Sequence, residues 1–229
     1  MRLVIGNKNS SSWSLRPWIG MRVLGIPFEE VRVNLRQPGT AAEIARYSPS
    51  GKVPCLIDGD TIVWETIAIL EYLADNFPDK GIWPKDAAVR AHARAISAEM
   101  HAGFQPLRSE CGMSMAQVYA AKQRSAGVLA NAQRIMTIWG EARAKFADAS
   151  AGPFLYGAFS GADAMFAPVV SRIVSYGLDV DPVSRAYISA VSALPAYREW
   201  RKGAAAEPWS RPENDGEVVV ENLAVVSQA

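Results

Sequence analysis

Three consecutive hydroxyl residues, Ser10, Ser11 and Ser12, are followed by Trp13-Ser14-Leu15-Arg16-Pro17-Trp18. Pro17 constrains what they can do. A proline ring clashes with the carbonyl four residues back when that residue is helical. The helix that carries Leu15, Trp18, Ile19 and Val23 is therefore predicted to begin near Ser14. The three serines then stand just ahead of a helix N-terminus, where unpaired amides and the positive dipole end favour an anion. A second group follows at Lys52-Val53-Pro54. A proline entering a strand from a loop cannot supply the ladder's N–H, so it suits an edge or entry position, and a cis bond is expected there. That turn leaves the Val53 backbone free to pair with an extended ligand. A third group, Glu65-Thr66, sits at a predicted helix start, where an acid and a hydroxyl suit a ligand with both an ammonium and a carboxylate. Each group alone has an ordinary reading: serine runs are loop punctuation, and acids are common in first turns.

The elements that must position these residues come first in the chain. Leu3-Val4-Ile5 reads as a short buried strand, and Phe28 to Val33 as a second. Thr40 with Glu43 forms a capping-box pattern before a short helix near Ile44. Cys55-Leu56-Ile57, Asp58-Gly59 and Thr61-Ile62-Val63 read as a hairpin, Asp-Gly suiting a type I′ turn. Ile67, Leu70, Ala74 and Phe77 form one helical stripe. The order β-α-β-α-β-β-α is that of a thioredoxin-like domain, with a parallel crossover around the first helix. Pro78, Gly81 and Pro84 then interrupt the pattern, and strand signals stop. Beyond them Val89, Ala93, Ile96 and Met100 share a helix face, as do Val128, Ala132, Ile135, Trp139, Ala142 and Phe146. Further helices are predicted after Ser160 and from Val183 to Leu194. Ser160-Gly161-Ala162-Asp163 is a capping-box-like start with a folding role. The predicted organisation is an α/β domain over residues 1–80 and an all-helical domain over 86–229, with the boundary near Ile82 to Asp86. The tail is irregular after about residue 205, and Val218-Val219-Val220 is either a short strand or a buried arm.

Composition narrows the class. With 229 residues the chain is long enough for two small cored domains. A formal net charge of +1 and scattered Lys and Arg give no field for nucleic acid. Cys55 and Cys111 form no C-x-x-C, which argues against a dithiol site, a zinc cluster or a secreted disulfide framework. The two histidines, His92 and His101, have no metal-ligand spacing, so no metal is expected. Met1 to Ile5 is too short an apolar run for a signal sequence, and no run reaches the roughly 20 residues that span a bilayer. The expectation is a cytoplasmic protein with no membrane or nucleic-acid partner.

The stretch from Ser48 to Leu73 looks like the glutathione-binding half of the cytosolic glutathione transferases, and the resemblance extends to about Lys202. It implies a glutathione transferase fold: an N-terminal thioredoxin-like domain followed by a C-terminal helical bundle. In that family the residue before a cis-proline pairs with the cysteinyl backbone of glutathione, and an acid plus Ser/Thr at the next helix start holds the γ-glutamyl end. The resemblance therefore assigns Val53, Pro54, Glu65 and Thr66 to glutathione, with Lys52 either contacting a carboxylate or remaining a solvated loop lysine. Ser11-Ser12-Trp13-Ser14-Leu15-Arg16 resembles the Ser-Ser-Cys-x-x-Arg segment of the zeta class, whose first serine activates the thiol. That role falls on Ser11, with Ser10 and Ser12 as rivals one residue away. The zeta cysteine is Trp13 here. Arg16 either faces the site or braces its helix. Met100 to Arg108 resembles a zeta-class stretch, and Phe104 and Arg108, with Trp13 and Arg16, are candidates for the electrophile pocket. The expected reaction is attack of the glutathione thiolate on a small, largely apolar electrophile, in a homodimer. Alternatives are a maleylacetoacetate-isomerase-type reaction and a non-enzymatic binding or scaffold role.

Overall fold

The computed structural model describes residues 1–208 and 216–223. Four short strands, β1 (Arg2–Ile5), β2 (Glu29–Arg32), β3 (Cys55–Asp58) and β4 (Thr61–Trp64), form one sheet in the order β2-β1-β3-β4. β1 runs parallel to β2 and antiparallel to β3, and β3 pairs with β4 as a hairpin. Side chains alternate across a strand, so the sheet is covered on both faces. Leu3, Ile5 and Leu56 join the main core with α1 (Ser12–Val23) and α3 (Thr66–Asn76). Val4, Val33, Cys55 and Ile57 form a second cluster with Ile44 of α2 (Thr40–Ala45).

Two local expectations are corrected. The hairpin pairs Asp58 with Thr61, so its central residues are Gly59-Asp60 rather than Asp58-Gly59. Gly59 alone takes a positive φ, +58°, and glycine in first place is the type II′ preference. Helix α1 begins at Ser12, two residues before Ser14, with Pro17 inside it. Pro17 has no N–H to offer the Trp13 carbonyl, and the Thr66 hydroxyl donates to that carbonyl instead, at 3.2 Å. The orphan acceptor that argued for a later start is thus satisfied from α3.

After a short 3₁₀ turn (Pro78–Lys80) the chain is mainly helical: α4 (Ala87–Ala102), α5 (Gln105–Glu110), α6 (Ala126–Phe146), α7 (Gly161–Tyr176), α8 (Pro182–Ala193) and α9 (Pro195–Ala205). Helix α7 is buried over almost its whole length and packs against α1, α4 and α8. Asp163 in its first turn accepts from the Ser160 amide at 2.8 Å and the Leu155 amide at 3.0 Å, which ties its start to the preceding loop. Burial pushes this carboxyl up to about 6. Trp18 of α1 lies 5.0 Å from Trp200 of α9 and 6.4 Å from Phe28, edge to face. Truncating a tryptophan so buried costs about 3–5 kcal/mol, so the aromatic contact fixes α9 against the first domain.

The helical part also contains a two-stranded antiparallel sheet, β5 (Gln117–Tyr119) with β6 (Val219–Asn222). The valine run of the tail contributes a strand, and Val218 and Val220 are exposed rather than buried.

Candidate functional site

The Val53–Pro54 bond is cis, as expected. Neither the Val53 amide nor its carbonyl has a backbone partner among the described residues. Twelve residues beyond Val53, at the far end of the hairpin, Glu65 holds φ at +68°, a conformation uncommon for a residue with a side chain. It caps the start of α3, and its carboxylate is half exposed. Strained backbone of this kind concentrates at ligand clamps. Thr66 follows as the first helical residue and is buried.

A cavity of about 260 Å³ opens between these segments, lined by Trp13, Ser50, Lys52, Val53, Pro54, Glu65, Thr66 and His101. All five residues assigned to glutathione therefore meet at one cavity, together with Trp13. The set offers a cation at Lys52, a carboxylate at Glu65, a free backbone at Val53 and helix-start amides at α3. Those groups fit a zwitterionic tripeptide with free carboxylates, an ammonium and an extended backbone.

The serines are placed differently. Ser10, Ser11 and Ser12 stand immediately before or at the start of α1, but none lines the cavity. The Ser11 hydroxyl donates to Ser14 Oγ at 2.8 Å, and Ser14 Oγ also accepts from the Gly6 amide at 3.0 Å. Ser11 is thus tied to the end of β1 through Ser14. A hydroxyl both accepts and donates. Reversal of this bond, with Ser14 donating to Ser11, would free the Ser11 proton for another acceptor.

Two guanidinium groups predicted for the electrophile pocket pack on Trp13, but neither lines the cavity. The Arg16 guanidinium lies 4.4 Å and the Arg108 guanidinium 4.5 Å from its ring centre. Arg16 is fully buried; its Nε donates to the Met165 carbonyl at 2.9 Å, while Nη1 and Nη2 have no hydrogen-bond partner among the described residues. It braces α1 against α7 and also abuts the site residue Trp13. Burial, then the neighbouring Arg108 and Arg172 charges, hold its pKa well below the usual arginine value. Arg108 donates to the carbonyls of Gly103, Met100 and His101, closing the C-terminal end of α4. Phe104 is nearly buried at the cap of α5 and does not line the cavity.

His101 was not assigned a role from sequence, yet it is a wall of the cavity. Its ring meets Trp13 edge to face at 5.0 Å, its Nε2 is 3.6 Å from Glu65, and its Nδ1 is buried with no hydrogen-bond partner among the described residues. Burial lowers its pKa, the Glu65 carboxylate opposes this, and Arg16 and Arg108 lower it further. The signal available was its position next to Met100 on the buried face of α4. Ser50, which bonds Ser48 at 2.9 Å, was likewise unassigned. Cys55 and Cys111 are both buried free thiols, and burial pushes Cys111 up to about 11. Among the described residues no cluster of His, Cys, Asp or Glu could hold a metal ion.

Comparison with known proteins bears on this geometry. Residues 10–76, which hold every element of the cavity except His101, match the family model for the glutathione S-transferase N-terminal domain. Mouse maleylacetoacetate isomerase is 31% identical over 180 residues, covering 76% of this chain and 79% of that protein. The chain belongs to the glutathione S-transferase family. A probable maleylacetoacetate isomerase of Caenorhabditis elegans is 34% identical over 102 residues, spanning 44% of this chain and 47% of that protein. Among solved structures, a sphingomonad glutathione S-transferase complexed with glutathione superposes with a TM-score of 0.66 at 25% identity, over 90% of this chain and 100% of that one.

Proposed function

We propose that the protein binds glutathione in the cavity between Val53–Pro54 and Glu65–Thr66 and promotes attack of its thiolate on a small electrophile. The observation that carries this reading is the convergence of Lys52, Val53, Pro54, Glu65 and Thr66 on one cavity beside the start of α1. Glu65 would take the γ-glutamyl ammonium, the α3 amides, the Thr66 N–H among them, its carboxylate, and the Val53 backbone the cysteinyl backbone. An ordinary thiol has a pKa of about 8.5, so only a few per cent is thiolate at neutral pH. A hydrogen bond from Ser11 to the charged sulfur, worth about 1.5–3 kcal/mol, with the α1 dipole would lower that value by about two units. Ser10 and Ser12 remain rivals for that donor. The electrophile pocket lies on the Trp13 side, where the indole supplies an apolar surface. We further propose a cytoplasmic homodimer. The exposed Ile62 and Trp64 on edge strand β4 give it an apolar contact.

The isomerase reading has its own support. Arg16 and Arg108 pack on Trp13 without lining the cavity, and their positive field there suits an electrophile that carries a carboxylate. The mouse and nematode relatives are named as isomerases.

The deciding experiment is a pH titration of the thiolate absorbance of bound glutathione, with native protein and Ser11→Ala. The expected result is a depressed titration in the native protein that returns toward the free value in the variant. Tight binding with an unshifted titration would remove the transferase reading and favour a binding or scaffold role.

A further inference from the structure

The loop that carries the serines is held by the opposite end of the chain. Glu207, two residues beyond α9, turns its carboxylate onto two consecutive backbone amides of that loop. Oε1 accepts from the Lys8 N–H at 2.6 Å and Oε2 from the Asn9 N–H at 3.0 Å. The Glu207 side chain is only 1% exposed, and Arg32 Nη1 forms a long ion pair with its Oε1 at 4.0 Å. Helix α9 grips the same peptide from the other side, because Trp200 Nε1 donates to the Lys8 carbonyl at 2.7 Å. Asn9 is fixed once more: its Oδ1 accepts from the Met115 and Ala116 amides at 2.8 and 3.2 Å. The restraint passes directly to the serines, since the Ser10 and Ser11 amides donate to the Asn7 carbonyl at 3.3 and 2.8 Å.

A buried carboxylate whose ion pair with an exposed arginine is as long as 4.0 Å is a costly way to tie down a loop, and an apolar contact would serve packing alone. What the carboxylate adds is directional: two acceptors at fixed spacing, matched to two successive amides. We propose that Glu207 is a positioning residue for thiol activation, setting the Lys8–Asn9 backbone and through it the placement of the Ser10–Ser12 hydroxyls at the start of α1. The proposal rests on the glutathione reading above. It makes the second domain a participant in chemistry whose donors all lie in the first.

The test is Glu207→Gln in the full chain. One amide oxygen replaces one acceptor, and the NH₂ group opposes the other N–H donor. The titration of bound glutathione should move up by about one pH unit, which is about tenfold less thiolate at neutral pH. kcat/KM with a chromogenic electrophile should fall about tenfold at neutral pH and converge on the native value at high pH, with KM for glutathione within about threefold. Should this variant not fold, Glu207→Asp, too short to reach both amides, carries the same readouts. Glu217→Gln is the control: Glu217 pairs with Arg124 and Lys122 in the tail and does not touch the loop. An unchanged titration in Glu207→Gln, or an equal shift in Glu217→Gln, would overturn the proposal. A native protein whose bound glutathione titrates like the free thiol would remove the glutathione reading and the proposal with it. A depressed native titration unmoved by Glu207→Gln removes the proposal alone.

Discussion

The two segments that meet at the cavity, its open wall and the serine loop behind Trp13 taken as its closed wall, are built on opposite plans. The wall from Lys52 to Thr66 presents its polar groups outward: a free Val53 backbone, a half-exposed Glu65 carboxylate and an exposed Lys52. The wall from Asn7 to Ser14 turns its polar groups inward, to Gly6, Leu35, Met115, Ala116 and Glu207. The first wall is arranged to exchange water for ligand at little cost. The second is arranged to hold still. A binding surface and an activating surface have different requirements: affinity needs unpaired groups, whereas stabilising a developing charge needs donors that are already oriented.

That contrast can be broken by substitution, and the largest effect should come from the rigid wall. Ser11→Ala should lower kcat/KM by about 10- to 100-fold at neutral pH, the loss of one hydrogen bond to a charged sulfur. The deficit should shrink as the pH rises above the thiol's free value, because the thiolate then forms unaided. A deficit that is constant with pH would show that Ser11 does not act on the proton. Next, Glu65→Gln should raise the dissociation constant for glutathione about tenfold, measured by calorimetry, while the bound thiol titrates as in the native protein. If it moved the titration instead, the two walls would not be separable in function.

Ser14→Ala should be felt in both stability and chemistry. The buried Gly6 N–H loses its acceptor, at a cost of about 1–3 kcal/mol, and Ser11 loses its relay partner. Thermal melting and the thiol titration should both shift, in contrast to Glu65→Gln, which should change only binding. The smallest effect is expected from Thr66→Val. It leaves the Trp13 carbonyl unpaired and should lower stability by about 1 kcal/mol in denaturant unfolding. Its effect on the thiol titration should be negligible.

The open wall was legible in the sequence and the closed one was not, for a physical reason. The features at Val53-Pro54 and Glu65-Thr66 are ones of local backbone geometry: a turn, a helix start and a missing N–H. Such features are set by residues a few positions apart, and they appear where expected. The strand order and helical second half were legible too, because alternation and helical period are also local. The serine wall depends on partners far along the chain. Glu207 lies 198 and 199 positions from its amides, and Met115 lies 106 from Asn9. Nothing in Asn7-Lys8-Asn9 announces those contacts. The early start of α1 escaped notice for the same reason, as the acceptor freed by Pro17 is met by a residue 53 positions away. His101 was visible as a histidine bordering the cleft, but its role as a wall depends on how α4 meets Trp13.

The contact between Thr66 and the Trp13 carbonyl makes positions 17 and 66 energetically interdependent. An alanine at 17 would restore an N–H in the ordinary helical position and compete for that carbonyl, leaving the Thr66 hydroxyl without its present acceptor. Thr66→Val would then cost less in the alanine background than in the native one. The signature is a non-zero coupling energy in a double-mutant cycle, in which the harm done by removing the hydroxyl depends on whether a proline stands one helical turn beyond the tryptophan.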